Sequence, residues 1–212
     1  RPGLGTGWGR EVESRMGYTS FNRASNTPYG GVATINYNDR QGIAAMTGHK
    51  SSASSMQSAA GGLVEWGVKG SSLKNYYSGG RRFVEGKEGQ RYELVVKNKG
   101  RSRVEVVLSV DGLDVMDGKA ASTRKRGYIV EPGKTLEVEG WRTSPNAVAS
   151  FRFSGVGRSY ANLKHGDTRN VGVIGLAVYT EKGVDPFTWM PREVEQRRGA
   201  SPFAEAPMTG VR

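Results

Sequence analysis

The sequence predicts an all-β chain, an antiparallel β-sandwich of about nine strands with jelly-roll-like or immunoglobulin-like topology. Three observations predict it. Short alternations of apolar and polar residues recur from Arg91 to Thr180, as in RYELVVKNKG, TLEVEGW and VASFRFSG. Asn, Asp, Gly and Pro turns separate them, which is how antiparallel strands are written. The composition is lean, 36% hydrophobic with 31 glycines, and that suits many turns around a modest core better than packed helices. The 212 residues can bury such a core without disulfides or metal, as one domain with appendages.

Residues 1–30 read as an extended Gly-rich arm. The opening RPGLGTGWG has glycine at 3, 5, 7 and 9 but lacks the Lys-Ser/Thr ending of a phosphate loop and the spacing of a dinucleotide fingerprint. Trp8 is expected to dock this arm on the body, and Arg10 to Met16 to make at most one helical turn. The sandwich domain is expected over 31–181. Gly31–Tyr37 reads as a strand, Asn38–Gly42 as a turn and Gly42–Thr47 as the returning strand of a hairpin. His49–Gly62 is small and polar, a loop or a short helix over Ser54–Ala60. Leu63–Lys69 sets Val64, Trp66 and Val68 against Glu65, Gly67 and Lys69, the period of a half-buried strand. Ser71–Gly80 reads as a loop carrying Tyr76 and Tyr77.

The central stretch is clearer. Tyr92, Leu94 and Val96 share one face, and Val104, Val106, Leu108 and Val110 share one face of the next strand. Asp111-Gly112 and Asp117-Gly118 make tight turns around Leu113–Met116. Gly127–Glu131 is a strand stopped by Pro132-Gly133. Leu136 and Val138 alternate with Glu137 and Glu139, and Phe151 and Phe153 flank Arg152. Val171–Tyr179 is almost wholly apolar and reads as the most buried strand. Residues 182–212 are a Pro-rich tail with one short helix over Pro191–Arg198, pinned to the body by Phe187 and Trp189.

The formal charge is +11, and its excess lies on the body: residues 81–180 hold 18 basic and 11 acidic side chains, whereas residues 181–212 hold 5 of each. A basic body attracts anions, and the expected partner is an anionic polysaccharide or envelope polymer, or another protein. Nucleic acid is not favoured, because no RNP, KH, zinc-finger or helix-turn-helix signature occurs. The absence of cysteine excludes disulfides and Cys-based metal sites. No run approaches the roughly 18 apolar residues of a spanning helix. The chain begins at Arg1 rather than Met, consistent with a removed signal peptide or a trimmed terminus. With the Gly- and Ser-rich β-composition, this leads to an expectation of export to the periplasm, cell surface or medium.

No catalytic motif stands out, and the chain is read as non-enzymatic and without a cofactor. The histidines are His49 and His165, and no G-x-S-x-G occurs, which argues against a His-based hydrolase and against zinc. Asp111, Asp114 and Asp117 recur at spacing three, a candidate calcium set without the spacing of an EF-hand; two Asp-Gly turns are the simpler reading. Glu137 and Glu139 beside Trp141 offer an alternative, a carbohydrate-active enzyme or an accessory carbohydrate-binding domain. The basic residues Lys99, Arg101, Arg124, Lys125 and Arg126 fall in turns that a sandwich gathers at its ends, and Tyr76, Tyr77 and Trp141 could add aromatic platforms. These eight are the candidate ligand-binding residues. A further alternative is a subunit of a larger assembly, with arm and tail packing on neighbours.

Overall fold

The computed structural model describes residues 2–48 and 52–188, together with Arg198, and is mostly β. Its strands are β1 (Leu4–Glu13), β2 (Val32–Asn38), β3 (Met56–Ala59), β4 (Val64–Lys69), β5 (Lys74–Ser78), β6 (Arg81–Glu85), β7 (Arg91–Asn98), β8 (Val104–Val110), β9 (Leu113–Asp114), β10 (Tyr128–Val130), β11 (Thr135–Val138), β12 (Gly140–Ser144), β13 (Ala147–Gly155) and β14 (Val173–Thr180). Two helices accompany them, α1 (Arg40–Thr47) and α2 (Tyr160–His165).

The strands form two seven-stranded sheets. The first runs β1-β13-β7-β4-β3, and the second β10-β8-β14-β2-β6-β5 with β9 beside β8. In the first sheet β11 and β12 behave as one strand interrupted at Glu139, pairing β7 and then β13. Pairing is antiparallel throughout except between β2 and β6, which are parallel, so the second sheet is mixed. One core joins the sheets. Tyr92 of the first stacks on both Phe151 and Phe153, and Tyr37 of the second closes on Phe153 at 5.2 Å between ring centroids.

Four expectations change. The described residues hold fourteen strands, not about nine. Ser54–Ala60, read as a loop or short helix, and Ser71–Gly80, read as a loop, contain β3 and β5, which are the end strands of their sheets; an end strand buries less and so alternates weakly. The expected return of a hairpin after Tyr37 is instead α1. Asp39 caps it by accepting the Gly42 amide at 2.8 Å. The run GIAAMT carries only one β-branched apolar residue and sets Ile43 and Thr47 one turn apart on the buried face.

Within the segment expected to be an arm, Leu4–Glu13 is a full strand of the first sheet. β1 pairs β13 from Leu4↔Gly155 to Glu13↔Ala147, with a bulge between Trp8 and Glu11. The alternate glycines explain why this strand did not read as one. A Cβ on Gly5 would stand 2.7 Å from the Ser159 side chain, and one on Gly9 only 2.6 Å from the Ser150 carbonyl oxygen. The face that elsewhere carries side chains is here bare backbone packed against neighbours. Trp8 remains half exposed and leans on Tyr160 at 4.7 Å. The expected helix over 191–198, Arg198 apart, and the Trp189 contact lie outside the described residues, as does His49.

Candidate functional site

The three aspartates of the calcium candidate separate into different roles. Asp111 is 3% exposed and sits in its Asp-Gly turn with φ of 55°. Its carboxylate accepts from the Thr6 amide at 2.8 Å, the Gly172 amide at 2.9 Å and the Tyr37 hydroxyl at 2.5 Å. Burial pushes its pKa up to about 6 despite those donors. Thr6 Oγ1 lies 2.8 Å from the Tyr37 hydroxyl and 2.5 Å from that of Tyr92, so the network laces both sheets together. Burial and the Asp111 charge raise both phenols well above their ordinary value. Asp114 is buried and accepts the Met116 amide. Burial opposes ionisation of Asp117, but hydrogen bonds from Lys125 Nζ and the Lys119 amide outweigh it and lower its pKa. Among the described residues no three His or acidic side chains converge as a metal would require, so the calcium set is not assembled.

The basic loop does form a site. Residues 18–28 cross the outer face of the second sheet as a strap. Phe21 packs on Val107, Ala177 and Tyr179 there, and backbone bonds hold the strap and the adjoining Tyr29 beside the end of β14 that runs past its pairing with β2: Ala24 N to Thr180 O at 2.9 Å and Tyr29 N to Val178 O at 2.7 Å. Arg23 locks it. Its Nε donates to the buried Glu105 at 2.5 Å, its Nη1 to Thr123 O and its Nη2 to Lys125 O, each at 2.6 Å. The guanidinium also lies 3.5 Å from the Tyr179 ring centroid. By gripping the carbonyls of residues 123 and 125, Arg23 fixes the loop from which Arg124 and Arg126 project.

Strap and loop wall a cleft of about 740 Å³, lined among others by Arg23, Asn26, Thr27, Thr123, Arg124 and Arg126. The charge there is uneven. Arg23 and Glu105 neutralise each other, and Arg103 does the same with Glu181 at 2.5 Å. Arg124 and Arg126 are exposed and have no carboxylate within ion-pair range among the described residues. Lys125 between them turns away to Asp117 at 2.8 Å.

The other sequence-predicted residues do not join this cleft. Lys99 pairs with Glu65 at 3.6 Å. Arg101 shares that β7–β8 turn, where its amide donates to Pro186 O at 2.6 Å. On the edge strand β5, the Tyr76 hydroxyl donates to Glu85 at 2.8 Å and Tyr77 is half exposed. Trp141 is fully buried between Phe151 and Tyr160 and offers no ring face to a ligand. Its Nε1 faces the Gly7 carbonyl at 3.4 Å, because an indole inside a core needs an acceptor. Glu137 and Glu139 are held by Lys69 at 3.2 Å and Arg91 at 3.9 Å. His165 bonds the Gly118 carbonyl at 2.8 Å. Arg82 is buried and donates to the carbonyls of Trp66, Ser54 and Ser55, and burial lowers its pKa to about 10.

The residues missed from sequence are Arg23, Asn26 and Thr27. They lie in FNRASNTP, which signals a turn-rich segment but not which surface it crosses. Compared with known protein families, curated proteins and solved structures, the chain matches none.

Proposed function

We propose that the chain is an exported, non-enzymatic binding module with a β-sandwich-like frame, and that it grips an anionic partner in the cleft between strap and basic loop. One observation carries this reading: Arg124 and Arg126 face the cleft without a counter-charge among the described residues, whereas Lys99 and Lys125 are already paired. Unpaired guanidiniums held on a fixed loop are ready donors for anionic oxygens. The Gly- and Ser-rich β-composition supports export, and fractionation of the native cells tests that part; recovery wholly in the cytosol would end it.

The binding test uses four polyanions: a sulfated glycan, a polyuronate, an oligonucleotide and polyglutamate. Each is titrated at low and physiological salt against the wild type and an Arg124→Ala/Arg126→Ala variant. At least one is expected to bind, to weaken as salt rises, and to bind the variant at least about tenfold more weakly. Equal binding by the variant, or no binding at all, overturns the reading.

The carbohydrate-active enzyme is less favoured, since the cations on Glu137 and Glu139 occupy the carboxylates it would use. A subunit role in a larger assembly has one observation in its favour, the exposed Tyr29–Phe187 ring pair at 6.0 Å. Size-exclusion chromatography tests it, and a monomer at high concentration would dismiss self-assembly.

A further inference from the structure

Resting on that reading, we infer that the cleft takes an anionic sugar unit of a polysaccharide rather than an unpaired base or an acidic peptide. The lining argues it group by group. Arg124 and Arg126 supply the charge on one wall. Asn26 and Thr27 on the strap and Thr123 on the loop supply uncharged hydrogen-bonding groups beside it. A sugar that carries hydroxyls next to a carboxylate or sulfate presents acceptors to both kinds of group. A base stacks best on an open aromatic face, and among the described residues the cleft gives none. The Phe21 ring is packed on Val107, Ala177 and Tyr179 with Arg103 above it at 5.4 Å, and the Tyr179 ring is covered by Arg23. The carboxylate of Glu105 is consumed by Arg23 and by the Gly127 amide at 3.3 Å, so the side chains left to a ligand are two guanidiniums, threonine hydroxyls and the Asn26 amide, a set with more donors than acceptors that favours a ligand rich in acceptors. The volume of about 740 Å³ lies within the range of roughly 300–1,000 Å³ that encloses small ligands. It suits a sugar unit engaged within a chain that runs on past the cleft mouth.

Calorimetric titration tests this with defined probes: an oligogalacturonate, a sulfated hexasaccharide, a neutral maltohexaose, oligothymidylate, a glutamate oligomer and inorganic sulfate. The acidic oligosaccharides are expected to bind most tightly, with one of the two preferred according to whether carboxylate or sulfate fits the arginines. Asn26→Ala and Thr27→Ala are expected to weaken the preferred oligosaccharide several-fold while leaving inorganic sulfate unchanged; a circular-dichroism melt verifies that each variant folds. Oligothymidylate or the glutamate oligomer binding as tightly as the oligosaccharides, or no effect of the strap variants, overturns the sugar assignment while the anion-binding reading stands. Loss of all polyanion binding, or indifference to Arg124→Ala/Arg126→Ala, fails the underlying reading itself.

Discussion

Asp111 accepts the amide of Thr6 at 2.8 Å across 105 positions of sequence. The bond joins the end of β8 in the second sheet to the edge of β1 in the first. Asn38 does the same one pair earlier, accepting the Leu4 amide at 3.1 Å. Two side chains thus take the place of a neighbouring strand along an edge whose amides would otherwise lack partners.

This carboxylate gives stability a pH dependence of unusual sign. Its folded pKa is about 6 against a reference of 3.8, so between those values the folded state holds more proton than the unfolded chain. The contribution of this group to stability is therefore fullest below about pH 4 and is lost as pH rises through 6, about 3 kcal/mol in all. Asp111→Asn tolerates the positive φ of the turn and removes the titration. Urea unfolding of both proteins from pH 4 to 7 checks it: the wild-type midpoint is expected to fall relative to the variant's. A constant difference between the two would rule out the burial argument.

Arg23 ties strap, loop and sheet through one guanidinium. Arg23→Ala leaves Glu105 buried without its cation and is expected to cost about 2–4 kcal/mol, below the cost of breaking a fully buried pair because the arginine is partly exposed. Removing Glu105 as well, in a double-mutant cycle followed by denaturant, is expected to recover part of that loss through coupling. Strict additivity would mean that the pair does not couple.

The glycines of the opening segment are not equivalent. Gly9→Ala forces a methyl against Ser150 and is expected to destabilise by about 1–3 kcal/mol. At Gly7 the nearest atom to a new Cβ is 3.5 Å away, so Gly7→Ala is expected to be tolerated within about 1 kcal/mol. Thermal melts of the two variants, compared side by side, give the ordering; similar melting temperatures would contradict it.

Adjacent arginines differ in the same way. Arg82→Ala removes the donors to three carbonyls and is expected to cost about 2–4 kcal/mol. Arg81→Ala, at an exposed neighbour, is expected to stay within about 0.5 kcal/mol. Chemical denaturation distinguishes them, and an Arg82 variant as stable as the wild type would show that those bonds contribute nothing net.

What could be read from the sequence follows from how locally each feature is encoded. β7, β8 and β11 were legible because one face of each is apolar, and β14 because its run is almost wholly apolar. β1 was not, because close packing replaced its side chains with glycine on one face. β3 and β5 were not, because they end their sheets. The basic run at 124–126 was legible as a surface feature, and the alternation that sends Lys125 to Asp117 while its neighbours face the cleft is local too. The opposite wall was hidden, since nothing in FNRASNTP states that Arg23 meets Glu105, 82 positions away. Trp141 misled for a related reason: a tryptophan beside glutamates reads as a surface platform until its strand is seen to turn inward.

The pairing of β1 with β13 also bears on how the chain comes off the ribosome. Among the described residues, the ladder partner of Leu4–Glu13 is Ala147–Gly155. At bacterial and eukaryotic synthesis rates of about 5–20 residues per second, the first strand waits roughly 7–27 s for the second to be made. Throughout that interval it is an unpaired edge with few large apolar side chains, and the glycines that make it a poor strand on paper also make it a poor template for aggregation while it waits.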